Sequence, residues 1–188
     1  MENKKHLHIR ALCEGAAMVA LAQILSYIKL FPSWPNGGSI TLAAFPLAVF
    51  ALRFGALRGL LASFVFGLLQ LIFDGAYAWG WQSMLLDYLV AFTPLGIAGI
   101  FRGRAWGVFP GIALGNLLRF AVHYFSGVTI YRIYEPTEVL GFGIFDDAQL
   151  YSLVYNGSYM LANMLLCLAA AACLYVPMKR FFAGNDLR

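Results

Sequence analysis

Apolar residues run in six long blocks separated by short segments rich in glycine, proline and charge, and each block reads as a helix. The first covers roughly 9–30 and stops at Pro32, Pro35, Asn36 and the Gly37-Gly38 pair. The second, about 39–52, is short against the roughly 20 residues of a full membrane span, so it is expected to lie among its neighbours or to cross part of the way. The remaining four cover roughly 57–73, 79–101, 106–131 and 150–176. Pro46 and Pro94 fall inside the second and fourth blocks, where a missing N–H predicts a kink. No internal repeat or low-complexity tract breaks the order, and residues 1–188 read as a single domain.

Composition turns these six helices into membrane helices. Of 188 residues, 61% are hydrophobic and 12% charged, more apolar surface than a soluble domain of this size can bury. The expected fold class is an all-α membrane protein with six transmembrane helices. The net charge of +4 does not point to nucleic acid, because the basic residues are scattered through interhelical segments instead of clustering on one face. They serve as topology signals. Lys4, Lys5, Arg10, Arg53, Arg58, Arg102, Arg104, Lys179, Arg180 and Arg188 lie at ends that alternating helices put on one side, against Lys29 and Arg132 on the other. By the positive-inside rule both termini are expected in the cytoplasm. The basic start followed by an apolar run resembles a signal peptide only loosely: Glu14 interrupts the run, so the first helix is expected to be retained. Cys13, Cys167 and Cys173 lie in apolar runs and imply neither a disulfide framework nor a metal site.

Candidate chemistry collects towards the outer side. In RFAVHYFSGVTIY, Arg119, His123, Gly127 and Tyr131 recur every four residues and share one helical face, with Ser126 beside it. Asp87 is the acid of the fourth helix, accompanied by Tyr77, Trp79, Trp81 and Tyr88, with Trp81 and Tyr88 placed on one face by their spacing. A central Arg or Asp costs roughly 2.5 to 3.5 kcal/mol on insertion scales and therefore faces a cavity or a partner. Aromatics around a carboxylate suit a flat or cationic ligand. Each of these residues also has a structural reading: an Asp87–Arg119 ion pair tying two helices, a hydrogen-bonded His123, and helix packing through Ser126 and Gly127. The last helix opens on the polar run YSLVYNGSY, where Asn156, Tyr159 and Asn163 fall near one face and suit either a ligand or helix contacts. Tyr151 and Asn156 would lie about 140° apart on an ideal helix, so both reach one site only if the first turn is irregular. His123 lacks a second ligand for a metal, and no cofactor is expected. The loop 132–149 is the longest on the outer side and a candidate lid. On the first helix, Ala16 and Ala20 form a small-xxx-small pair, a device for close helix approach.

Taken together, LLDYLVAFTPLGIAGIFR, RFAVHYFSGVTIY, YSLVYNGSYML and the earlier PNGGSITLAAFPL resemble the thiamine-specific substrate-binding subunit, or S component, of energy-coupling factor transporters. The resemblance covers nearly the whole chain. It implies a vitamin receptor of the cell membrane, not an enzyme, whose site opens to the extracellular side. It also implies work with a transmembrane coupling subunit and two ATPase subunits. By the same resemblance Asp87, Tyr88, His123, Gly127, Tyr131, Tyr151 and Asn156 match positions lining a thiamine site, Tyr77 and Arg119 its edge, and Trp34 a loop that closes it, with Trp81 a further stacking candidate. Some members carry Glu at the place of Asp87 and Trp at that of Tyr131, which changes carboxylate reach and stacking area. Ala16 and Ala20 match the face that docks on the coupling subunit, after which the loaded subunit topples so that the site faces inward. The chain has no Gly-Lys dipeptide and hence no P-loop of its own. An S component for riboflavin, biotin or hydroxymethylpyrimidine is the neighbouring reading; an intramembrane enzyme using Asp87 and His123 as acid and base is a more distant one.

Overall fold

The computed structural model describes residues 2–31, 38–73, 80–134, 138–139, 142–144 and 147–187. Six helices follow one another: α1 (Glu2–Tyr27), α2 (Ala44–Phe54), α3 (Ala56–Phe73), α4 (Trp81–Phe101), α5 (Val108–Tyr134) and α6 (Ala148–Phe182). Between α5 and α6 two short antiparallel strands, β1 (Glu138–Val139) and β2 (Phe142–Ile144), form a hairpin within the expected loop. All the helices except α2 are long and apolar enough to cross a membrane, and their outward faces carry exposed Leu12, Leu57, Ile72, Phe125 and Val176. Such a surface is stable against lipid and not against water.

Apart from Arg53, the short α2 is apolar on every side, and it is buried from Pro46 to Phe54 without a break. A helix of this kind belongs in a core. Pro46 does not kink it: as the third helical residue, it lacks an N–H that has no intrahelical acceptor in any case. Around α2 the other helices close up through small residues. Gly15 of α1 meets the Phe50 ring, and a Cβ on Gly96 of α4 would run into the backbone of Gly59 and Leu60 on α3. Gly99 meets the backbone of Ala56 in the same way, so α3 and α4 cross with their main chains in contact. Polar groups add a second tie, between α1 and α3, where Gln70 Nε2 donates to Gln23 Oε1 at 2.8 Å and to Ser26 Oγ at 3.0 Å.

The helix ends depart from the sequence expectations where charge or proline suggested a stop. α1 begins at Glu2, because the basic segment 3–10 contains no breaker and a helix satisfies its own backbone in water as well as in lipid. α6 runs through Pro177 to Phe182. Its last turn is held by burial: Phe182 is fully buried, edge-on to Phe45 at 6.4 Å.

Arg53, counted above among the topology charges of the loops, is 1% exposed. Its guanidinium pairs with Glu14 of α1 and with Asp186 beyond α6, donates to the Phe181 carbonyl, and lies 3.5 Å from the centre of the Phe181 ring. Arg10 joins the cluster through Asp186. Two cations and two anions thus hold the ends of three helices together.

Candidate functional site

The polar centre forms where α4, α5 and α6 meet. α4 is not a uniform helix: residues Leu85–Val90 form a π turn, and Thr93–Phe101 a 3₁₀ segment with Pro94 in its first turn. A π turn admits one extra residue and shifts the phase of every side chain around it, which recurs at functional sites. This shift overturns the shared face expected for Trp81 and Tyr88. Trp81, the first residue of α4, is 65% exposed, whereas Tyr88 is 8% exposed and packs into the main core. Pro94, expected to kink the helix, opens the tighter segment instead.

Asp87 sits within the π turn. Its Oδ2 accepts the Ser83 hydroxyl at 2.6 Å, and its Oδ1 lies 3.0 Å from His123 Nδ1 on α5. The Asp87–Arg119 pair weighed in the sequence is replaced by this Asp87–His123 pair. Arg119, one turn away, lies over the Phe92 ring at 4.2 Å. With Nδ1 donating to the carboxylate, neutral His123 presents Nε2 as an acceptor. That Nε2 atom and Arg119 Nε are buried without a hydrogen-bond partner among the described residues. Ser126 Oγ approaches the same carboxylate without reaching hydrogen-bond geometry.

α6 supplies the opposite wall. Asn156 Nδ2 donates to the His123 carbonyl at 3.1 Å, while its Oδ1 accepts the Tyr159 hydroxyl at 3.0 Å. Ser152 Oγ donates to the Tyr124 carbonyl at 2.7 Å. Gly127 makes this approach possible: a Cβ there would strike Ser152 Oγ and stand 2.9 Å from Asn156 Nδ2. The small-residue packing reading and the wall-of-a-site reading of Gly127 therefore describe the same contact. Tyr151 is 4% exposed and stacks parallel to Tyr155 at 5.8 Å, while the His123 and Tyr159 rings meet edge-on at 6.4 Å.

Of the residues named from the sequence, the structure brings together Asp87, His123, Gly127 and Asn156, with Arg119 one turn along α5. Trp81 stands apart. Trp34, Tyr77 and the Tyr131 side chain lie outside the described residues. Ala16 and Ala20 are exposed on α1, whose inward face is made by Ala11, Gly15, Val19 and Ala22, so their spacing serves no packing among the described residues. Ser83 escaped the sequence reading, and Ser152 entered it only as part of the polar run that opens the last helix. For Ser83 the signal was present: it precedes Asp87 by four residues, the spacing of neighbours on a helix.

A family model described as thiamine transporter protein matches residues 12–183 of the chain. The chain belongs to this family. Among members of the thiamine transporter family, the thiamine transporter ThiT of Bacillus subtilis (strain 168) is 31% identical, the match covering 93% of this chain and 94% of that one. The ThiT of Lacticaseibacillus paracasei is 29% identical, covering 97% and 95%. A solved structure of ThiT from Listeria monocytogenes superposes with a TM-score of 0.78 at 26% identity, covering 93% of this chain and 98% of the other. The family is one of membrane transporters rather than enzymes.

Proposed function

We propose that the protein is the thiamine-binding S component of an energy-coupling factor importer of the cell membrane. It captures extracellular thiamine and delivers it through a transmembrane coupling subunit driven by two ATPases. One observation carries this reading: a carboxylate held by Ser83 and paired with an imidazole stands within an apolar bundle beside buried polar atoms that lack partners among the described residues. A buried polar group without a partner costs about 1 to 3 kcal/mol, which a polar ligand removes on binding. Thiamine brings a fixed cation, an aminopyrimidine with donor and acceptor edges, and a hydroxyl tail. Asp87 complements the cation or accepts from the amino group, and His123 Nε2 accepts a second donor. By the family resemblance Asp87, Tyr88, His123, Gly127, Tyr131, Tyr151 and Asn156 match positions that line the site, Tyr77 and Arg119 its edge and Trp34 the loop that closes it, with Tyr131 to stack on a ring and His123, Tyr151 and Asn156 to meet polar edges.

The site is tested by titrating the purified protein with thiamine while following intrinsic tryptophan fluorescence, with riboflavin, biotin and hydroxymethylpyrimidine tested separately by calorimetry. Saturable thiamine quenching is expected in the wild type and in Glu138→Ala, and is expected to disappear in Asp87→Ala. Wild-type affinity in Asp87→Ala refutes the site. Binding of another vitamin in place of thiamine refutes the substrate while keeping the receptor.

A further inference from the structure

Asn163 lies near the middle of α6 and is 3% exposed. Its carboxamide reaches across to the chain entering α2: Oδ1 accepts the Thr41 N–H at 2.8 Å, and Nδ2 donates to the Ser39 carbonyl at 2.7 Å. Nδ2 also donates to the Tyr159 carbonyl of its own helix at 2.9 Å. Two turns away along α6, the Tyr155 hydroxyl accepts the Gly38 N–H at 3.3 Å. Residues 38–41 form neither helix nor strand, so within an apolar bundle their backbone groups require partners from side chains. Held this way, Ile40 is 4% exposed and packs with Tyr151, Tyr155, Tyr159 and Met160. The Ile40 carbonyl accepts the Leu30 N–H at 3.1 Å, which joins the two ends of the α1–α2 connection. The tyrosines behind Ile40 form a ladder. Tyr151 stacks on Tyr155, Tyr155 meets Tyr159 edge-on at 5.7 Å, and Tyr159 donates to Asn156 at the α5 contact.

We infer that Asn163 is a positioning residue for ligand binding: by clamping the backbone of residues 38–41 it seats Ile40 against the tyrosine ladder and holds Tyr159 and Asn156 against His123. The inference rests on the thiamine reading of that site. Its chemistry is specific, because the clamp needs a donor and an acceptor on one side chain. Leucine, of similar size, offers neither.

The experiment uses the full chain. Thiamine affinity is measured for Asn163→Leu and Asn163→Asp, each relative to wild type at the same pH, and hydrogen exchange is followed at the Thr41 amide. Asn163→Leu is expected to bind about tenfold more weakly or worse, the scale of a buried hydrogen bond left unmade, and to exchange faster at Thr41. In Asn163→Asp a neutral carboxyl accepts from Thr41 and donates to Ser39, whereas a carboxylate only accepts. Burial in the apolar bundle favours the neutral carboxyl, so the variant's affinity relative to wild type is expected to rise as the pH falls from about 8 to about 5. Wild-type affinity in Asn163→Leu overturns the inference, as does Asn163→Asp binding no better than Asn163→Leu at every pH. Unchanged Thr41 exchange in Asn163→Leu overturns the clamp whatever the ligand. Failure of the wild type to bind thiamine counts against the ligand reading alone, because the exchange measurement still judges the clamp.

Discussion

Both oxygens of Asp87 are engaged, one by Ser83 and one by His123, and this division fixes what each group offers a ligand. The Ser83 bond prevents the carboxylate from rotating away from the imidazole, and the carboxylate in turn fixes the imidazole tautomer. Ser83→Ala is expected to weaken thiamine binding about fivefold, the scale of one net hydrogen bond near 1 kcal/mol, with Ser83→Thr close to wild type. Equal affinity in Ser83→Ala and wild type would show that Asp87 is held by other means. At this scale the sequence was informative about which residues carry chemistry and uninformative about how they pair. A lone Asp87 among apolar neighbours announces itself through its insertion cost. Its choice of His123 over Arg119 depends on a fraction of a helical turn, which residue types do not encode.

That fraction of a turn is decided by the elements. Counting by α-helical spacing placed Trp81 beside Tyr88 because nothing in LLDYLV marks a π turn; the extra residue is accommodated by the tight 3₁₀ stretch that follows, itself shaped by Pro94, Gly96 and Gly99. The position of α3 was legible from an apolar block bounded by glycine, whereas α2 begins at Ala44, about five residues after the expected start, because the backbone of residues 39–41 is bound to Asn163 instead of continuing a helix. The full lengths of α1 and α6 were not, because their ends depend on contacts made after folding, such as Phe182 against Phe45. The α3–α4 crossing is the element contact with least room. Gly96→Ala introduces a methyl into the Gly59–Leu60 backbone and is expected to destabilise the protein by about 1 to 3 kcal/mol or more. Thermal unfolding in detergent, compared with that of Ala98→Gly as a cavity control, measures this. An unchanged midpoint in Gly96→Ala would mean that the two main chains separate easily.

At the scale of the whole molecule the proposed ligand chemistry occupies the α4–α5–α6 junction, while α1 presents Ala16 and Ala20 outward. If that face receives the coupling subunit, Ala16→Trp abolishes thiamine uptake in cells while leaving thiamine affinity of the purified protein within about twofold of wild type, because exposed positions are usually neutral to folding. Undiminished uptake would move the docking face elsewhere. The proposed toppling also sets a demand on the other end of the protein. A subunit that turns in the bilayer carries its headgroup-level charges towards oil, and each bare charge there costs roughly 2.5 to 3.5 kcal/mol. Arg10, Arg53, Glu14 and Asp186 sum to zero within one hydrogen-bonded knot. As a neutral unit the knot can tilt with the helices it fastens, so the charges that a turn must still keep near the headgroups are the exposed ones outside it, Arg102, Arg104, Lys179 and Arg180 among them.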